Sequence, residues 1–314
     1  MSVTGATTGV PAGARRRETS SAGRVRPPRR ARTAAWVGAF LFPAVALVVL
    51  LLVVPFLQTV YRSFFRDNGF TSSWVGLSNY RTLVTDPGFG QSVLNTLMWV
   101  VGTLVLPVGV GLAIAAATHR LRWGGLARFA LVLPYALSGS ATAILWTFVL
   151  RSDGALDDVL RTIAPGVTPP GWLLEWPLNT VAMIVASTWQ GTGAAVILFL
   201  VGLQGIPRDT LEAGAVDGAT GFRLFRYITL PQLRAATVVV VGIALANALK
   251  AFDLIWILTQ GGPARSSETL ALTMYRETFL LNQYGYGSAV AVFLTVVVVV
   301  ASFAYLRRQM PARS

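Results

Sequence analysis

The sequence predicts an all-α membrane protein, a bundle of six transmembrane helices, and three observations predict it. Over 314 residues the chain is 54% hydrophobic and only 12% charged, about half the charged fraction of a soluble globular domain. Six stretches are apolar over roughly the 20 residues a helix needs to cross the hydrocarbon layer. The segments between them alternate between strongly basic and mixed charge, the pattern that membrane orientation imposes.

The apolar stretches run from about Ala34 to Leu57, Ser92 to Ala117, Ala127 to Leu150, Val181 to Leu203, Ala235 to Leu258 and Gly287 to Leu306. Pro43, Pro107 and Pro134 fall inside them. Proline is tolerated in a membrane helix because neighbouring helices re-satisfy the carbonyls it frees. Residues 1–33 carry Arg15, Arg16, Arg17, Arg24, Arg26, Arg29, Arg30 and Arg32 against Glu18 alone, and read as a disordered cytoplasmic tail. The apolar run after the tail is too long for a signal peptide and lacks a small-residue cleavage site, so the first span is expected to be retained. Residues 34–91 then hold the first helix and an outer loop, 92–306 the main transmembrane domain, and 307–314 a C-terminal tail.

Orientation follows from the loops. Arg120 and Arg122, then Arg208, Arg223, Arg226 and Arg234, then Arg307, Arg308 and Arg313 fall on the same side as the N-terminal tail. The opposite set mixes Arg62, Arg66, Arg81, Arg151, Arg161, Arg265 and Arg276 with acids. Both termini are therefore expected in the cytoplasm. Trp74, Tyr80, Trp172, Trp176, Tyr284 and Tyr286 lie near outer span ends, where an aromatic belt in the headgroup layer is expected.

Composition also excludes. The net charge of +13 would suggest nucleic acid in a soluble chain. Here it follows membrane topology, and no nucleic-acid partner is expected. There is no cysteine and His119 is the sole histidine, so neither a thiolate nor an imidazole metal cage is available. Lys250, the one lysine, follows Leu249, which rules out a phosphate-cradling Gly-x-x-x-x-Gly-Lys loop. No cofactor is expected on this chain. A membrane-embedded enzyme is a rival reading, but the zinc-hydrolase and serine-nucleophile patterns are missing. A channel or receptor acting without ATP is the other.

The most informative segment is residues 204–232, long for a connection between bundle helices. Its chemistry predicts two short helices. Asp209 is expected to cap the first, with Glu212 in the capping-box position and Pro207 stiffening the approach. Gly218 supplies a left-handed stop, Thr220 caps the second helix, and Pro231 keeps it from running straight into the next span. Leu224, Tyr227 and Ile228 make an i, i+3, i+4 apolar face. The plainer alternative is a basic loop that packs on the bundle and does nothing more.

At these residues the sequence resembles the permeases of binding-protein-dependent ABC importers of the type I fold. Their cytoplasmic signature begins Glu-Ala-Ala, has Gly six residues after the Glu, and ends Ile-x-Leu-Pro. Glu212-Ala213-Gly214 departs at the third position, while Asp217-Gly218-Ala219 and Ile228-Thr229-Leu230-Pro231 fall in register. The carbohydrate-uptake branch, the maltose and glycerol-phosphate type, is resembled more widely. Val75-Gly76-Leu77-Ser78-Asn79-Tyr80, Asn95-Thr96, Phe252-Asp253-Leu254-Ile255, Thr259-Gln260-Gly261-Gly262-Pro263 and Tyr284-Gly285-Tyr286-Gly287 carry that likeness. Asp157 departs from the Gly-x-Asn that such permeases often show after Asp153-Gly154.

The resemblance implies a multi-pass subunit of a bacterial cell membrane. It implies a second homologous permease, a dimer of ATPase subunits holding ATP and Mg, an extracytoplasmic solute-binding protein and a carbohydrate-like substrate. Glu212, Ala213, Gly214, Asp217, Gly218, Ala219, Leu230 and Pro231 would couple to the ATPase. For the translocation path, the polar residues inside the spans are candidates: Lys250, Asp253, Asn247, Trp189, Gln190 and Tyr135. Three residues apart in the fifth stretch, Lys250 and Asp253 are expected to face one another on one helix, either lining the route or forming a local ion pair. Ser138 and Ser140 suit the route too, whereas Gly191 and Gly193 suit close helix approach.

Overall fold

The computed structural model describes residues 40–119 and 124–309. The arginine-rich tail, Arg120, Arg122 and Arg313 lie outside the described residues. The chain divides into two units, residues 1–54 and 55–314. The described part of the first is the start of an apolar helix, α1 (Phe40–Arg62), whose side chains there are almost all exposed.

In the second unit a two-stranded antiparallel hairpin follows, β1 (Phe65–Asp67) and β2 (Ser72–Trp74), with Phe65 opposite Trp74. Then come α2 (Ser78–Thr85), α3 (Pro87–Thr118), α4 (Gly124–Val132), α5 (Gly139–Leu150), α6 (Ala155–Ile163) and α7 (Leu178–Gln204). The remainder is α8 (Arg208–Val216), α9 (Gly221–Leu224), α10 (Arg234–Leu249), α11 (Asp253–Leu258), α12 (Leu270–Tyr275) and α13 (Tyr284–Gln309). Asp86 starts α3 by accepting the Gly88 N–H, with Pro87 in the first turn, where a missing N–H costs nothing.

Four described helices are long and apolar enough to cross a membrane alone: Phe40–Arg62, Pro87–Thr118, Leu178–Gln204 and Tyr284–Tyr305. The third stretch is broken by a sharp bend, and the chain turns just before the fifth, as expected from Pro231. Phe129–Ala136 and Gly139–Leu150 meet at 106°, and Gly221–Gln232 and Arg234–Leu249 at 72°. At the first break a 3-10 turn with Pro134 hands over to Ser138, which accepts the Ala141 N–H and starts a new helix. The fifth stretch ends at Leu249, not Leu258, and a short helix restarts at Asp253.

Each break leaves backbone groups without helical partners, and side chains from elsewhere take them up. The Gln190 amide donates to the Leu137 carbonyl at 2.6 Å, and the Thr269 hydroxyl to the Ala251 carbonyl at 3.0 Å. These two bonds make the broken spans tolerable away from water.

Small residues bring α3 against α7. A β-carbon on Gly111 would lie 2.5 Å from the Ala195 Cβ, and one on Gly102 2.6 Å from Ile184 Cγ2. Gly193 likewise meets Tyr135 Cβ at 2.8 Å, whereas Gly191 approaches nothing nearer than Pro107 at 3.7 Å. One apolar cluster joins α3, α7 and α10 through Ala115, Val196, Phe199, Leu233 and Val240. A second gathers Trp99, Met183, Ile184, Ile255 and Leu272. A third sets Leu83 and Phe89 against Leu270, Ala289 and Val290.

Candidate functional site

Three places hold the polar and exposed chemistry of the second unit. The first is the arm, residues 204–232. Pro207, extended at φ −60° and ψ 134°, takes the N-cap position of α8, so Asp209 sits inside the first turn and no side chain caps it. Proline fixes that entry without needing a cap bond. The α8 C-terminus ends as a left-handed cap: Gly218 has φ +82°, and the Gly218 and Ala219 N–H groups return to the Ala215 and Gly214 carbonyls at 3.1 and 2.9 Å. Thr220 holds the N-cap position of α9 in extended conformation, without a side-chain bond.

The second helix of the arm is distorted by its proline. Pro231 has no N–H to give the Tyr227 carbonyl, and a π turn, Phe225–Thr229, absorbs the defect. The wider turn rotates Tyr227 off the apolar face, leaving it 72% exposed, while Leu224 and Ile228 stay half-buried. The chain bends at Leu233, two residues past the proline; Leu233 is fully buried. Gly214 is buried beneath Ile228 and Leu224, and Leu211 and Ile206 pack into the cluster around Phe199. The arm is therefore anchored along one side. On the other, Glu212, Ala213, Asp217 and Gly218 are exposed, as are Val216 and Phe222, and Pro231 too; Ala219 and Leu230 are half-buried.

The second place is a cavity of about 350 Å³ between α3, α7, α10 and the two chain breaks. Tyr135, Gln190, Asn247, Lys250 and Asp253 line it together. Trp189 does not; its ring stands edge-on to Trp146, with centroids 6.2 Å apart. Because α10 stops at Leu249, Lys250 and Asp253 belong to different elements, and the ion pairs among the described residues do not include them. The expected one-helix pairing is thus replaced by two exposed charges on the cavity wall. Asp253 lies at the start of α5, its Oδ2 3.2 Å from where a Gly139 β-carbon would be. The positive end of that helix dipole favours the carboxylate there.

The third place, unmarked by any sequence pattern, is a charged bracket in the loop between α11 and α12. Arg265 reaches Glu268 at 2.8 Å and Asp86 at 3.3 Å, and Arg276 reaches Glu277 at 2.7 Å and Glu268 at 3.5 Å. Glu268 is 1% exposed. Burial pulls the Arg265 guanidinium down, but the hydrogen bond and charge of Glu268, with Asp86, outweigh it and hold the group above its ordinary value. Asn95 ties the same loop: its amide donates to the Ser266 and Glu268 carbonyls at 2.7 and 2.9 Å and its oxygen accepts the Trp176 indole N–H at 3.0 Å. Trp172 donates to buried Asp157 at 2.6 Å, so two of the expected belt aromatics turn their polar atoms inward. Trp74 remains 63% exposed.

Among the described residues no group of three or more histidine, aspartate or glutamate side chains is arranged to hold a metal ion.

Residues 105–310 match the family described as binding-protein-dependent transport system inner membrane component. The chain is 33% identical to the alpha-glucoside transport system permease protein of Rhizobium meliloti, over 83% of this chain and 78% of that protein. It is 30% identical to the trehalose/maltose transport system permease protein of Thermococcus litoralis, over 85% and 91%. A crystal structure of a bacterial alginate ABC transporter with its pentasaccharide-bound periplasmic protein contains a chain of the same fold, with TM-score 0.76 and 21% identity over 87% and 93%.

Proposed function

Because the chain belongs to the family of binding-protein-dependent inner membrane transport components, we propose that it forms, with a second permease, the route by which a carbohydrate enters a bacterial cell. It is a multi-pass membrane protein and a transport permease subunit. ATP is hydrolysed elsewhere, on a pair of ATPase subunits. An extracytoplasmic binding protein delivers the solute, and both termini face the cytoplasm, in keeping with the arginine bias of the loops.

One observation carries the coupling reading: the arm is packed on the bundle along one side and bare along the other. A rigid two-helix element of that kind passes a displacement at Glu212–Gly218 into the foot of α10. It moves the spans only to the extent that the ATPase groove binds the two states unequally. The carbohydrate assignment leans on the two sugar permeases among the relatives and on the cavity, where amide, phenol and charged groups suit a polyhydroxylated solute.

The test is gentle solubilisation of the tagged chain from its own membrane, with mass spectrometry of what is retained. An ATPase and a second permease are expected, and the ATPase should be lost on Glu212→Arg while the second permease is retained and insertion of the chain is unchanged. Recovery of the chain alone, under conditions that preserve other complexes, would favour a pore working without ATP.

A further inference from the structure

The cavity wall holds hydrogen-bonding groups that nothing among the described residues satisfies. Trp99, on α3, lines it and is 3% exposed, yet its Nε1–H has no acceptor among the described residues. Thr103, one turn further along, lines it too, and its buried hydroxyl is also unpartnered. Other hydroxyls on this helix are spent locally: Ser92, Thr96 and Thr118 each donate to the carbonyl four residues back. Thr103 makes no such bond.

A third group follows from covalent structure. Pro107, inside α3 and on the same wall, has no N–H to give the carbonyl four residues earlier, which is that of Thr103. One turn of helix thus brings together an indole donor, a hydroxyl and a carbonyl relieved of its helical partner. Leaving such groups buried and unmet is costly, so a partner that arrives with the solute relieves that cost. The orphaned Thr142 hydroxyl and Trp146 indole do not line the cavity and have no part in this.

We propose that Trp99, Thr103 and the Thr103 carbonyl, whose side-chain polar atoms are closed to solvent in this state, form a hydroxyl-binding patch that is uncovered to engage the solute in transit. A sugar hydroxyl both accepts and donates, so one can take the Trp99 N–H and give its own proton to the carbonyl. A solute lacking that hydroxyl leaves the donor unmet again, which makes the patch a determinant of specificity. The proposal rests on the reading of the cavity as a carbohydrate route.

The chain contains no cysteine, so single cysteines report cleanly in the assembled importer in membrane vesicles. Asn247→Cys and Thr103→Cys are treated with 2-aminoethyl methanethiosulfonate, with and without trehalose, maltose or lactose as probes. Both positions should be modified, and at least one of the sugars should protect both. In the Asn247→Cys background, Trp99→Phe keeps the ring and removes only the N–H, and Pro107→Ala restores the helical partner of the Thr103 carbonyl. Each should raise the sugar concentration for half-protection about five- to tenfold. Protection of Asn247→Cys that is unaltered by both changes, or a Thr103→Cys that stays unmodified while Asn247→Cys reacts, overturns the patch and leaves the route standing. If no sugar protects Asn247→Cys, the carbohydrate route fails and the patch with it.

Discussion

Ile228 occupies the space where a side chain on Gly214 would begin: a β-carbon built on Gly214 overlaps Ile228 Cδ1 and comes within 3.2 Å of Leu224 Cδ1. The third position of the signature, alanine in the permeases this segment resembles, is glycine here because the facing helix has filled the gap. Gly214→Ala therefore gains about 1 kcal/mol of helix propensity and loses about 1–3 kcal/mol to overpacking. Gly214→Ala with Ile228→Val should melt higher than Gly214→Ala alone, with a coupling of about 1 kcal/mol in a double-mutant cycle on the solubilised protein. Simple additivity would mean that the two side chains do not meet.

Gly218 should rank differently. Nothing lies within 4 Å of a β-carbon there, so only its φ of +82° resists substitution. Alanine should cost about 1–2 kcal/mol and asparagine clearly less, because its side chain tolerates the left-handed region. Limited proteolysis of the arm should follow the order glycine, asparagine, alanine in resistance, with ATP-driven uptake falling in the same order. Equal uptake in all three would show that arm rigidity does not limit transport.

Asn95 is buried with both ends of its amide in use. Asn95→Asp keeps the shape but removes the donors, leaving the Ser266 and Glu268 carbonyls unmet beside a carboxylate. A loss of about 2–5 kcal/mol is expected, read as a lower melting temperature of the purified chain. A melt within a degree or so of wild type would mean that the loop is held by other contacts.

Glu268→Gln should also be costly, about 3 kcal/mol, because Arg265 and Arg276 would keep their charges in a largely buried bracket without their shared partner. The pH dependence has a defined sign. The Arg265 value is raised on folding, so its contribution is fully present below the value of the unfolded guanidinium, itself far above neutral, and is lost only as pH rises through the higher folded value. The difference in melting temperature between wild type and Glu268→Gln should stay level from about pH 7 to about pH 10. A decline across that window would place the stabilising charge elsewhere.

Much of this was legible in the chain itself. Apolar length and the arginine bias announce a membrane bundle, and Gly218 and Pro231 announce a two-helix arm, since each acts through its own backbone. What could not be read depends on partners far away in sequence. Residues 244–258 hold no glycine or proline and the apolar run resumes at Leu254, so Lys250 and Asp253 read as charges within one helix and not as its end; Thr269, which satisfies the Ala251 carbonyl, comes 18 residues later. The Leu137 break is paid for by Gln190, 53 residues away. Asp209 has the capping-box spacing to Glu212, but Pro207, with its fixed geometry, takes the N-cap position instead. Tyr227 fitted a 3.6-residue period that the π turn abolishes.

The bend of 106° between Phe129–Ala136 and Gly139–Leu150 bears on how the protein is made. Counted from Gly124 through Ala136, the first piece holds thirteen helical residues and the second twelve, and joined at that angle they reach across less of a hydrocarbon layer of about 30 Å than a straight helix of the same length would. The exposed Leu137 carbonyl is unprotected until α7, with Gln190, has been synthesised. Such a segment is expected to stay with the insertion machinery until α7 follows, so that the two enter the bilayer as a pair.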